Sequence, residues 1–348
     1  MMNNFHHVKL SGSPKEIGLS HGRLLKDRIV STWDFYSRVL FGNQLSLLED
    51  YGSRYLEVIQ AFADEYREEI EAVAEGSGLP AWQIAILNAR TEIYHILRGR
   101  RPANECTAAF LPGSRVLGQN WDWMAELEPL VVLMEIERED GHRILQLTEP
   151  GIIGKIGFNS KGIGVCLNIL TGSRSPVAIP IHILLRAALD GDDLEEIYAR
   201  FSRLNHGTYS NILMADDQGR CLAMEFAGTS MNSPDYKNDR PLHTNHYLSE
   251  LSKTQATEND PLYENSIARY RRGRTLLKKL DSGAGVDELK SILRDRGDVQ
   301  HNISAEYKTL LGLQIGTVSS IIMDLPGREM HAALGVPHKN QYQVFQLA

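Results

Sequence analysis

A thiol attacks a carbonyl only as its thiolate, so a catalytic cysteine needs polar surroundings and a base or charge beside it. Of the three cysteines in this 348-residue chain, Cys106 has such surroundings: Asn104, Glu105 and Thr107 flank it. Cys166 and Cys221 lie in apolar runs, beside Val165 and Leu167 and beside Leu222 and Ala223, and read as core. Asp122 stands between Trp121 and Trp123, an improbable place for a solvated turn carboxylate. Trp121 and Trp123 read equally as walls of a pocket and as core. Asn168 interrupts the run Val165–Leu170, where an amide is costly unless it is paired. It reads equally as a functional amide and as a strand end. His243 and His246 have the spacing of two zinc ligands on one helical face. Pro241 and Thr244 argue against a helix there, and no third ligand stands at a recognisable spacing. They read instead as packing and hydrogen-bonding groups that hold Asn245.

The elements around these residues change character near residue 100. Before it the texture is helical. Ser13 caps a helix opened by Pro14. Apolar residues recur at three and four from Arg54 to Glu75, and Gly76 and Gly78 end that run. Ala81–Leu97 repeats the pattern after Pro80. Beyond it, short β-type runs are predicted at Thr107–Leu111, Arg115–Gly118, Leu130–Ile136 and His142–Thr148. Ile152–Phe158 and Ile163–Ile169 form a hairpin about Asn159 and Gly162, with Asn159 as a turn residue. Helices are predicted over Pro180–Leu189, Asp193–Asn205, Asn265–Leu280 and Val286–Arg294. Strands are predicted over Ser210–Asp216, Cys221–Phe226, Val318–Asp324 and Glu329–Leu334. This is an α+β chain with antiparallel hairpins, without repeats, a GxGxxG motif or a phosphate-binding loop.

Several blocks carry a resemblance. Cys106-Thr-Ala-Ala-Phe110 and Gly118-Gln-Asn-Trp-Asp-Trp123 are similar to the N-terminal nucleophile (Ntn) hydrolases with a cysteine nucleophile. The block Glu149 to Ser160, His243-Thr-Asn-His246, and Gly18 to Gly22 narrow this to the acyl-CoA:6-aminopenicillanic acid acyltransferase (isopenicillin N acyltransferase) family, peptidase family C45. The resemblance runs from about residue 15 to the C-terminus, with the blocks in family order. It implies an αββα sandwich of two antiparallel sheets between helix layers. It also implies self-cleavage between Glu105 and Cys106. Residues 1–105 then form an α chain and 106–348 a β chain, together one domain and an α/β heterodimer, with any higher oligomer left open. It further implies that Asp122 holds the α-amine or thiol of Cys106, and that Asn245 and Asn168 stabilise an oxyanion. Arg269 matches a helix position of the family and reads as a scaffold ion pair.

The expected function is therefore a cysteine amidohydrolase or acyltransferase, acting on a small N-acyl amide through a thioester on Cys106. The alternatives are an acyl-CoA-dependent N-acyltransferase and an uncleaved binding module. Three departures weaken the penicillin reading: Glu105 stands where the fungal enzyme has glycine, Gln119 where the bile salt branch has arginine, and Gln314 to Thr317 where the fungal enzyme has Ser-Arg-Gly. No cofactor and no metal are expected. With 37 Lys and Arg against 44 Asp and Glu, a net charge of −7 disfavours nucleic acid. No apolar run is long enough for a membrane span, and no secretory h-region opens the chain. With no disulfide framework either, a cytoplasmic protein is expected.

Overall fold

The structure is a computed structural model that describes residues 5–42, 44–98, 106–173, 176–236, 239–252, 261–297, 302–310 and 312–347. Glu105, one side of the expected cleavage site, and Gly99–Pro102 lie outside the described residues.

The N-terminal segment runs β1 (His6–Gly12), α1 (Pro14–Leu24), α2 (Lys26–Phe35, with a π turn over Tyr36–Leu40), α3 (Leu45–Phe62), α4 (Asp64–Ser77), α5 (Ala81–Asn88) and α6 (Arg90–Arg98). Ser13 caps α1 as expected: its hydroxyl accepts from Glu16 N–H at 3.3 Å, while its own N–H donates to the Glu16 carboxylate at 2.9 Å. Gly78 ends α4 in a left-handed conformation, φ 79°, which glycine adopts without strain. Two predicted helices are each broken in two. Ala63 is extended between α3 and α4, and the acidic pair Asp64 and Glu65 then opens α4 at its positive dipole end. Ala89 interrupts Ala81–Leu97 between α5 and α6. Strand β1 was not predicted, because its partner is far away in sequence and no hairpin announces it.

The remainder runs β2 (Thr107–Leu111), β3 (Val116–Met124), β4 (Val132–Arg138), β5 (Arg143–Thr148), β6 (Ile156–Asn159), β7 (Gly164–Ile169), α7 (Ile181–Leu189), α8 (Leu194–Phe201), β8 (Thr208–Ala215), β9 (Cys221–Gly228), β10 (Ser230–Asn232) and β11 (Leu242–His243). It ends with α9 (Pro261–Leu277), α10 (Val286–Leu293), β12 (Lys308–Leu310), β13 (Leu313–Asp324), β14 (Glu329–Leu334) and β15 (Gln343–Gln346). The predicted hairpin about Asn159 is present. Asn159 Oδ1 accepts from the backbone of Lys161 and Ile163, at 3.1 and 3.0 Å, which makes it a turn-former.

One sheet has the order β1-β4-β5-β6-β7-β8-β9-β10, and the second β11-β2-β3-β13-β14-β15 with β12 also on β13. Strands β2 and β3 of the second sheet face β7 of the first; α7 and α8 cover the outside of one sheet, and α10 the outside of the other. The layering is αββα. One pairing departs from the antiparallel expectation: β1 lies parallel to β4, which the long helical excursion between them allows. Strand β3 is longer than predicted, and all nine of its residues are buried because it lies inside its sheet with both faces covered. That placement puts Gln119 to Trp123 inside the sandwich. The core is shared as well: Ile29, Tyr36 and Ile86 of the N-terminal segment pack in one cluster with Met124, Leu147 and Ile153.

Candidate active site

Cys106 stands immediately before β2 and is 3% exposed. In the β2–β3 ladder Thr107 pairs with Asn120, so the next antiparallel step sets Cys106 opposite Trp121 and beside Asp122. Burial pushes the Cys106 thiol up to about 11, and the Asp122 carboxylate pushes it the same way. The Asp122 backbone N–H, which hydrogen-bonds the sulfur, and the cations Arg269 and Lys155 pull it back.

Arg269, fully buried on α9, ties the site together. Its guanidinium donates to the Cys106 carbonyl at 2.7 Å, to Thr107 Oγ1 at 2.9 Å, to Asn245 Oδ1 at 2.9 Å and to Asn265 Oδ1 at 2.7 Å. It therefore touches the cysteine residue itself, a closer part than the scaffold position predicted for it. Asn245 follows β11, and its amide donates to the Ile169 carbonyl at 3.0 Å. Asn168, on β7, donates to the His243 carbonyl at 3.4 Å and accepts from Asn211 at 3.2 Å. The two predicted asparagines thus lie along one seam between the sheets. The partners of Asn168 explain how its amide survives in an apolar strand. Gln119 clamps the same seam: its Oε1 accepts from Leu167 N–H at 2.8 Å, and its amide donates to the Leu167 carbonyl.

The histidines are occupied as positioning groups. His243 Nε2 lies 2.7 Å from the buried Glu225 carboxylate. Ser266 Oγ lies 2.8 Å from His246 Nδ1 and accepts from Asn245 N–H at 2.7 Å. No cluster of three or more His, Cys, Asp or Glu that could hold a metal occurs among the described residues. No described helix is long and apolar enough to cross a membrane.

Beside Cys106 lies a charge cluster in which Glu149 and Lys155, both from the block Glu149 to Ser160, meet Arg90 and Tyr36. Glu149 is fully buried; its Oε2 accepts from Lys155 Nζ at 2.5 Å and from Arg90 at 2.7 and 3.2 Å, and its Oε1 accepts from Tyr36. Trp123 Nε1 donates to Tyr36 Oη at 2.8 Å, and the Lys155 ammonium rests 3.0 Å from the centre of the Trp121 ring. The two tryptophans therefore face cations and the N-terminal helices. Burial would raise the Glu149 carboxyl, but Arg90, Lys155 and Tyr36 hold it well below the usual carboxylate range. Burial lowers Lys155 to about 7, against the pull of Glu149. Arg90 adds to the effect of burial: one carboxylate is shared by two cations, and Arg90 cannot give up its proton whereas Lys155 can. A glutamate before Pro150-Gly151 and a lysine between Gly154 and Ile156, in an otherwise apolar stretch, were the available signals.

A sandwich of this layering, with a buried thiol at the head of an inner strand and a carboxylate, a guanidinium and two amides gathered about it, defines a class: α+β proteins of two sheets between helix layers with a polar seam at their centre. Residues 111–339 match the model of the acyl-coenzyme A:6-aminopenicillanic acid acyl-transferase family. The chain is 31% identical over 343 residues to the 40 kDa form of acyl-coenzyme A:6-aminopenicillanic-acid-acyltransferase from Emericella nidulans, covering 95% of this chain and 93% of that one. The chain belongs to this acyl-transferase family. It is also 25% identical over 219 residues to protein dcd1A of Dictyostelium discoideum, covering 53% of this chain and 50% of that one. Among solved structures it is similar to a variant of the conjugated bile acid hydrolase of Clostridium perfringens (TM-score 0.48, 12% identity, 71% of this chain and 97% of that one). Penicillin V acylase of Agrobacterium tumefaciens is also similar (TM-score 0.47, 11% identity, 69% and 84%).

Proposed function

We propose that the chain cleaves itself between Glu105 and Cys106, and that the new N-terminal cysteine then transfers the acyl group of a small N-acyl amide to water by way of a thioester. The observation that carries this reading is the place of Cys106 at the head of β2. There its carbonyl is held by Arg269 and its sulfur by the Asp122 backbone.

In the first stage the sulfur attacks the Glu105 carbonyl carbon. The C–S bond forms, the C–N bond breaks, and the Cys106 nitrogen takes the proton. Water then cleaves that thioester and leaves residues 1–105 and 106–348. The freed α-amine has an ordinary pKa near 7.7–8 and can take the thiol proton at neutral pH. In turnover the thiolate attacks the substrate carbonyl, the oxyanion meets the amides of Asn245 and Asn168, and the α-ammonium returns its proton to the leaving amine. Water attacks the thioester, and the carboxylic acid leaves. Trp121 and Trp123 flank the acyl side. Both chains remain one heterodimeric domain, since the core and the β1–β4 pairing join them. A cytoplasmic location fits the thiol chemistry.

Intact mass tests the first stage: two fragments meeting at Glu105 and Cys106 are expected. A single full-length mass in the purified wild type would overturn it. A second reading, transfer of the acyl group from acyl-CoA to an amine, is favoured by the 31% identity to the fungal acyltransferase. An N-acyl product formed from acyl-CoA and an amine acceptor decides for it; turnover of small amides without that product decides for hydrolysis.

Asn245→Ala is expected to lower kcat by about 100-fold, roughly 3 kcal/mol, with KM little changed, as steady-state kinetics will show. Asp122→Asn separates two effects. It removes a carboxylate that pushes the thiol up, so Cys106 alkylation at neutral pH should quicken. Turnover should nonetheless fall at least about ten-fold, because the charge-assisted hold on the freed Cys106 amine is gone. Faster alkylation together with unimpaired turnover would show that Asp122 has no catalytic part.

A further inference from the structure

Both ring nitrogens of His243 face oxygen acceptors. Nε2 lies 2.7 Å from the Glu225 carboxylate and Nδ1 lies 2.7 Å from the Thr244 carbonyl, with both side chains fully buried. A neutral imidazole donates from one nitrogen only, so His243 carries both protons and Glu225 is its counter-charge. Burial would raise the Glu225 carboxyl, but His243, Leu248 and Ser249 hold it below the ordinary carboxylate range. The N–H groups of Leu248 and Ser249 donate to it at 2.6 and 3.0 Å. One carboxylate thus grips both ends of the segment 243–249, and Asn245 stands inside that segment. The grip belongs to a row on the opposite sheet. Asn168, Asn211 and Glu225 are in register on the adjacent strands β7, β8 and β9. All three bear on His243: Glu225 on its ring, Asn168 on its carbonyl at 3.4 Å, and Asn211 through Asn168, to whose Oδ1 it donates at 3.2 Å. His243 in turn pairs with Ala108 of β2, two residues beyond Cys106.

We propose that Glu225, through the imidazolium of His243, is the positioning residue that fixes where the amides of Asn245 and Asn168 stand for the oxyanion. This rests on the acyl-transfer reading, in which those amides meet the oxyanion. A donor is worth most when it already stands where charge will develop, because nothing then has to move as the charge appears. The sense of each amide is set by its neighbour: Arg269 donates to Asn245 Oδ1 and Asn211 donates to Asn168 Oδ1, which makes Nδ2 the donor end in both. What remains to be set is the position of the main chain that carries Asn245 and receives Asn168, and that main chain is the segment Glu225 holds. The pair is neutral overall, so its effect on the charge of the sulfur is small. Glu225 and His243 therefore act on the amides and leave the nucleophile itself alone.

The test uses the full protein as purified and the acyl donor that the wild type turns over fastest among the p-nitroanilides and CoA thioesters of acetic, hexanoic and decanoic acids. Glu225→Gln keeps the shape of the pair and removes its charges. It is expected to lower kcat about ten-fold, with KM within about two-fold of the wild type. The aldehyde of the same acyl chain, which adds to the thiol as a tetrahedral adduct, should bind about ten-fold more weakly. Alkylation of Cys106 by iodoacetamide forms no oxyanion and should stay within about two-fold of the wild type. Glu225→Gln combined with His243→Gln should lose no more than the worse of the two single variants, because the two residues act as a unit. A folded Glu225→Gln protein with wild-type kcat overturns the proposal. So does one in which kcat and alkylation fall in equal measure, the mark of a general loosening. If that variant does not fold, wild-type kcat in folded His243→Gln overturns the proposal instead. A wild type that turns over none of these donors overturns the acyl-transfer reading, and the proposal with it.

Discussion

Cys106→Ala is expected to give one full-length chain wherever the wild type gives two fragments, and to lose turnover by a factor on the order of 10⁴ or more. Both losses have one cause, because the same sulfur would attack Glu105 first and the substrate afterwards. Little stability should be lost. The side chain is small, and the residue's other tie to the site is its backbone carbonyl, which still accepts from Arg269. An unchanged melting temperature beside an uncut mass would therefore separate chemistry from folding. Cys106→Ser should cut slowly and turn over poorly, since a hydroxyl beside a neutral amine ionises far less readily than a thiol. Wild-type turnover by the serine variant would dispose of the thioester.

The second large effect concerns Glu149. Glu149→Gln removes one anion from between two buried cations, and breaking such a cluster by deleting one partner costs about 3–5 kcal/mol. Thermal unfolding should show it as a fall in Tm of roughly 10 °C. The sign with pH follows from the depressed carboxyl of Glu149. Between its folded and unfolded values the unfolded chain binds more protons, so this contribution is fully present above the unfolded carboxyl value, near 4.3, and fades as pH falls below it. The gap between wild type and Glu149→Gln should therefore be widest at neutral pH and narrow in acid. A gap that stays constant down to low pH would mean that Glu149 is not held as an anion. Since Arg90 and Tyr36 belong to the N-terminal segment, the variant should also loosen the hold of residues 1–105 on the rest of a cleaved protein, which size-exclusion chromatography can follow.

Much of the frame was legible. Local patterns carried the Ser13 cap, the Asn159 hairpin and the strand and helix runs from Thr107 to Leu189, because capping, turn chemistry and periodicity act over a few residues. The missed strands were of another kind. Strand β1 pairs across more than a hundred residues, and β10, β11, β12 and β15 are two to four residues long, too short to show a period. The helix breaks at Ala63 and Ala89 were invisible because alanine is a good helix former, and only packing asks the chain to turn there.

The candidate site divides along the same line. The sequence by itself determined which groups were available: one cysteine in a polar setting, an aspartate between tryptophans, and an asparagine in an apolar run. Side-chain type and immediate neighbours suffice for that. Only the tertiary structure decided who meets whom. It brought Arg269 onto the Cys106 carbonyl across 163 residues and set Asn168 and Asn245 on one seam. It also delivered Arg90 and Tyr36 from the helical segment to Glu149, beside Lys155. The reason is that charge and hydrogen-bond energies depend on distance in space and on exclusion of water, and neither is set until the two sheets close on each other.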